Sequence, residues 1–242
     1  WTFVSMAASI AVFALFGRYE AHRTASGRDP LVTPSLFRKR AFTGGLVAGL
    51  AFFSGLIGFG LVFTLYAQLG LGFGPLKAGL AALPQALGGV VGFGLAMSGL
   101  QEKLGRALLQ IGTLVMAAGA AVLALTVHLT GTDVSTLRFA PGLALAGIGM
   151  GLVMAPFFDI VLAGVEPHES GSASGTLTAV QQLGGAFGTA VLGTLFFHLL
   201  ADRWSFGSAM QLTAWVEVGL LALTFGLSYL LPRHARPQEP GA

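Results

Sequence analysis

Residues 171–197 read GSASGTLTAVQQLGGAFGTAVLGTLFF, with no Asp, Glu, Lys or Arg among them. A helix that crosses a bilayer needs about 20 mostly apolar residues, and this run is long enough. Its glycines come in pairs four apart, Gly171 with Gly175 and Gly184 with Gly188. Four residues is just over one helical turn, so each pair lies on one face, where helices can approach closely. Strict two-residue alternation is missing, which argues against a membrane β-barrel. Comparable apolar runs fall at roughly 1–17, 42–68, 76–99, 107–128, 139–164 and 212–231, and this run extends over about 173–201. The expected fold is all-α, a polytopic membrane bundle of seven transmembrane segments whose helices satisfy their own backbone hydrogen bonds in lipid.

Composition agrees. The chain is 54% hydrophobic and 10% charged, against about 25% charged residues in soluble domains. A soluble fold of this composition would expose large apolar patches, so lipid is the expected partner. There are 36 glycines and no cysteine, which excludes disulfides and Cys-based metal sites. His, Ser and Asp form no metal-spaced or catalytic constellation, and the glycine runs lie inside spans rather than in phosphate-binding loops. The chain therefore reads as a non-enzyme without a cofactor or metal.

The net charge of +3 does not point to nucleic acid, because the basic residues sit between the apolar runs. The loop 18–41 holds Arg18, Arg23, Arg28, Arg38, Lys39 and Arg40. Lys103 and Arg106 follow the third run, and Arg233 and Arg236 follow the last. Only Lys77, Arg138 and Arg203 fall on the other side. The excess predicts that the loop 18–41 and the C-terminus are cytoplasmic, in a plasma (inner) membrane protein. The loop 165–172 belongs to the same side, yet it carries Glu166, His168 and Glu169 and no Lys or Arg.

The stretch from Glu20 to Pro34 is polar, so segment 1–17 stands apart from a six-helix bundle over 42–231. Residues 18–41 read as a cytoplasmic linker and 232–242 as a Pro-rich disordered tail. The chain opens on Trp1, and its first apolar run lacks the flanks of a signal peptide. It reads as starting in the middle of a longer protein, the alternative being processing.

The run 171–197 resembles the penultimate span of the fourteen-span drug:proton antiporters of the major facilitator superfamily. That family often has Asn where this chain has Thr178, and Arg where it has Gln181. PLVTPSLFRKRAF (30–42), AGLAALPQALGGVVG (78–92) and GIGMGLVMAPFFDIVLAGVEPHESGSASG (147–175) are similar to further stretches of the same family. The resemblance implies a small-molecule substrate, protons as coupling ion, and export of amphipathic drugs or toxic molecules. It also implies a missing N-terminal half, with this chain carrying the eighth to fourteenth helices. A rival reading from another class is a non-transporting membrane scaffold or a homodimerising half-transporter. The loop Gly99-Leu-Gln-Glu-Lys-Leu-Gly-Arg106 resembles a degenerate cytoplasmic loop motif of the superfamily. Its Glu102, Lys103, Gly105 and Arg106 imply an inter-helix charge network; the plain alternative is a charged turn.

Two acids lie within apolar runs, Asp159 and Glu217. An intramembrane carboxylate is costly, by about 2.5–3.5 kcal/mol for Asp at a helix centre, which makes both candidates for proton coupling or cation recognition. The alternative for each is an interfacial position: Asp159 lies near the end of its run, and Glu217 lies a turn and a half into its run beside Trp215. Gln85, Phe157, Phe158, Gln181 and Gln182 are candidates for a substrate pathway, against ordinary packing. Pro84 and Pro156 interrupt their runs and would bend them, as rocking transporters use.

Overall fold

The computed structural model describes residues 2–25, 33–130, 136–163 and 165–233. The middle of the expected linker and the expected tail beyond 233 lie outside the described residues. The described residues hold eight α-helices and no strand. Helix α1 is Thr2–Ala25, and a 3-10 turn, Pro34–Arg38, leads into α2, Arg40–Leu65. A π turn, Tyr66–Gly70, extends α2; α3 is Pro75–Leu95, followed by a second π turn, Ala96–Leu100, and the short α4, Gln101–Leu104. Then come α5, Arg106–Thr130; α6, Thr136–Leu162; a 3-10 turn, Pro167–Glu169; α7, Ser170–Ala201; and α8, Phe206–Ser228.

Six of these stretches are long and apolar enough to cross a membrane: 40–70, 75–104, 106–130, 136–162, 170–201 and 206–228. They match the six runs of the expected bundle. Helix α1 covers the first expected segment and continues to Ala25, past the position where the linker was expected to begin. Helix α6 packs between α3 and α5, α8 between α5 and α2, and α7 along α2.

Glycine sets these crossings. A Cβ on Gly58 of α2 would stand 2.5 Å from the Gly188 carbonyl oxygen of α7, and one on Gly188 would collide with the Ser54 carbonyl in return. Gly88 and Gly92 of α3 meet the backbone of α6 at Ala144 and Ile148, while Gly112 and Gly119 of α5 meet α6 at Gly149 and Ala146. Backbones that touch in this way gain dispersion and weak hydrogen bonding in lipid, where burial of apolar surface supplies no driving force between helices. Gly171 and Gly175 differ from the other pair. Among the described residues a Cβ on either would have nothing within 4 Å, so the close approach expected at this pair is not made by them. At Gly184 and Gly188, where it was expected as well, the close approach is made.

Aromatic side chains fill both ends of the core, Phe52, Phe53 and Phe157 at one end and Phe63, Tyr66, Phe139 and Phe196 at the other. The chain turns from α3 into α5 at Gly99 (φ 95°) and Gly105 (φ 50°, ψ −122°), backbone conformations that favour glycine. This turn lies beside the end of α8, because the Arg106 amide donates to the Arg233 carbonyl at 2.8 Å. Gly44, near the start of α2, touches Leu230. The loops before α2, around α4 and after α8 therefore share one end of the bundle.

Candidate functional site

The two intramembrane acids have opposite surroundings. Asp159 lies three residues before the end of α6, is exposed, and accepts a hydrogen bond from Gln101 Nε2 of α4. Glu217 lies at the midpoint of α8, eleven residues from either end, and is 1% exposed. Both of its carboxylate oxygens are buried and lack a hydrogen-bond partner among the described residues. It faces α2 at Gly55, where an added Cβ would sit 3.0 Å from Glu217 Cδ. The missing side chain at Gly55 is what leaves room for the carboxyl group.

Phe157 is fully buried, edge-on to Phe53 and Phe158, with its ring over Gly49 of α2. Phe158, Gln85 and Gln181 are half-buried and Gln182 is exposed. The structure does not gather these candidates into one enclosed pocket. Phe157 belongs to the core, whereas Gln182 lies on the open flank of α7 with Leu183 and Phe187.

In the loop motif, Glu102 and Lys103 are exposed and make no ion pair among the described residues. Gly105 and Arg106 do the connecting. Arg106 Nη1 donates to the carbonyls of Leu231 (2.9 Å) and Tyr229 (3.3 Å), and its guanidinium lies 5.1 Å from the Tyr229 ring centre. These carbonyls lie just past the end of α8, where a cation complements the negative end of the helix dipole. The contact made here is a cation–carbonyl clamp from Arg106 of α5 to the segment just past α8.

A second contact at this end escaped the sequence reading. Lys39 Nζ lies 2.5 Å from Glu169 Oε2, Ser35 Oγ donates to Glu169 Oε1, and the Thr33 amide donates to Ser172 Oγ at 2.9 Å. The loop 165–172, acidic against the charge rule, thus takes its cation from the loop before α2. The acidic loop was the available signal; the partner, 130 residues away, was not legible. Hydrogen bonds from Lys39 and then Ser35 hold the Glu169 carboxyl down to about 2, below its usual 4.5. A carboxylate depressed on folding stabilises fully above its unfolded value, and that contribution is lost as pH falls through the folded value. In detergent, the thermal stability of the wild type is therefore expected to fall between pH 4.5 and 2 more steeply than that of Glu169→Gln. Parallel melting curves over that range would contradict the clasp.

At the opposite end, a cavity of about 340 Å³ opens between the ends of α2, α5 and α8, lined among others by Tyr66, His128, Ser205, Ser208 and Gln211. The Tyr66 hydroxyl is buried and lacks a hydrogen-bond partner among the described residues.

A family model described as Major Facilitator Superfamily matches residues 1–189. The probable actinorhodin transporter of Streptomyces coelicolor is 42% identical over 203 residues, which is 84% of this chain and 35% of that protein. The puromycin resistance protein pur8 of Streptomyces alboniger is 35% identical over 169 residues, 69% of this chain and 33% of that protein. The quinolone resistance protein NorB of Staphylococcus aureus is 26% identical over 235 residues, 93% of this chain and 47% of that protein. The chain thus spans about a third to a half of the length of these relatives.

Proposed function

The chain belongs to the major facilitator superfamily, and from that premise we propose that its six packed spans form one bundle of a transporter that exports amphipathic drug-like molecules in exchange for protons. The names of the similar proteins support the substrate class: an actinorhodin transporter and two antibiotic-resistance proteins. The observation that carries proton coupling is Glu217, a buried carboxylate at the middle of a membrane helix with no hydrogen-bond partner among the described residues. Such groups mark proton or ion pathways, because their burial has to be offset by function. The bundle rocks against a second one about a midplane site. By the excess of Lys and Arg, the end with Lys39, Lys103 and Arg106 is cytoplasmic, in a plasma membrane.

Asp159 lies at that cytoplasmic end, exposed and held by Gln101. This position suits recognition of a cationic substrate on its way in. The test is efflux of one cationic and one neutral dye from pump-deficient cells making the full-length protein. Wild type should lower both dyes. Asp159→Asn keeps the size but removes the charge, and should weaken cationic efflux by roughly tenfold while sparing the neutral dye. Loss of both would assign Asp159 the proton, and loss of neither would remove it from the mechanism. A wild type that lowers neither dye would contradict export.

A further inference from the structure

Helix α8 lies between α2 and α5 and turns a buried polar face toward them. Thr213, Glu217, Thr224 and Ser228 are each at most 1% exposed. Their spacing of four, seven and four residues puts them on one side of the helix. Thr213, Thr224 and Ser228 donate to carbonyls of their own helix, at Ala209 (2.8 Å), Leu220 (2.9 Å) and Phe225 (2.6 Å). From α5, Gln110 Nε2 donates to Ser228 Oγ at 3.0 Å, and the buried Thr113 hydroxyl donates to the Gln110 carbonyl. Glu217 is the member of this row whose polar atoms have no partner among the described residues.

Among the described residues, no side chain of the helices packed around this carboxyl can neutralise a charge there. Helix α2 has no ionisable side chain between Arg40 and Tyr66, α5 none between Arg106 and His128, α7 none before His198, and α8 none besides Glu217. An isolated carboxylate out of water is far too costly to persist as the anion. At one end of the seam is the cavity of Tyr66, His128 and Gln211. Gln211 is six residues from Glu217, about 9 Å along the helix. At the other end are Ser228, Gln110 and the Arg106 clamp, about 16 Å from Glu217.

We propose that this seam is a proton pathway built into the C-terminal bundle, separate from the open flank of α7, with Glu217 as its proton-binding site. The proton comes from water in the outer cavity and is held as the O–H of the Glu217 carboxyl group. It leaves to water past Thr224, Ser228 and Gln110 when α8 parts from α2 at Gly55. Ionisation is linked to this parting because the anion requires water that the closed packing excludes. Helix α2 also carries α7 through the Gly58–Gly188 crossing, so proton loss at α8 biases the α7 flank.

The proposal rests on the transport reading, and its test separates the two. Full-length protein in proteoliposomes is assayed for substrate uptake driven by a pH gradient and for substrate exchange without one. Glu217→Gln is expected to lose roughly tenfold or more of the driven uptake, a larger loss than it shows in exchange. Driven uptake intact in Glu217→Gln, with a gradient-responsive wild type, overturns the seam and leaves the transport reading standing. A wild type indifferent to the gradient sinks the transport reading itself. If the variant loses exchange as well, the wild-type protein decides. Treated with dicyclohexylcarbodiimide, which attacks protonated carboxyls in apolar surroundings, it should be modified at Glu217, less so as pH rises. Peptide mapping that finds Glu217 unmodified overturns the proposal.

Discussion

Gly188→Leu is expected to destabilise the packed bundle strongly, while Gly175→Leu in the same helix should leave it nearly unchanged. At Gly188 a side chain would meet the backbone of α2 at Ser54, and Gly58 of α2 meets the Gly188 carbonyl in return. Neither backbone can swing aside as a flexible side chain would. Overpacking typically costs about 1–3 kcal/mol where side chains can give way, and a backbone-to-backbone crossing belongs at or above the top of that range. A loss of about 3 kcal/mol lowers the melting temperature of a chain of this size by roughly 6–12 °C. Gly175 is exposed with open space beside it, and leucine has the higher helix propensity. Thermal unfolding of the two full-length variants in detergent checks the pair. Equal melting temperatures would mean that α7 does not cross α2 at this glycine.

The contrast shows where sequence reading stops. Both glycine pairs have the same spacing, and spacing fixes only which residues share a face. Which face meets a neighbour depends on the rotation of α7 about its axis, and that is set by α2, more than a hundred residues earlier. The six spans of the bundle were legible because hydropathy over about 20 residues needs no partner to interpret it.

Helix ends were less legible, and the candidate site suffered for it. The last span was expected from about 212, which puts Glu217 near an interface. The helix begins at Phe206, where the Ser205 hydroxyl caps it by accepting from the Ser208 amide at 3.1 Å. Those six extra residues move Glu217 to the helix midpoint. Ser205 was the readable signal, an N-cap residue just ahead of the apolar run. The opposite happened at Asp159, whose neighbours in sequence are apolar but which lies in the last turn of α6 beside Gln101. Lys39 with Glu169 and Arg106 with the carbonyls just past α8 join distant segments, and no local pattern announces the partner.

Collapse of a pH gradient is expected to abolish substrate accumulation by the full-length protein. In everted membrane vesicles the lumen corresponds to the outside, so an acid lumen should drive substrate inward as protons leave. Each pH unit supplies 1.36 kcal/mol per proton, so a one-for-one electroneutral exchange can sustain about tenfold accumulation per unit. Closing the cycle requires a site that takes its proton on the acid side and releases it on the other, the role proposed for Glu217, whose carboxyl has no hydrogen-bond partner among the described residues. The most direct measurement is uptake of an amphipathic dye into such vesicles with the lumen about two pH units below the medium, before and after a protonophore. Accumulation approaching about a hundredfold is expected, falling to the passive level once the gradient is gone. Accumulation that survives the protonophore, or depends on ATP instead, would contradict it.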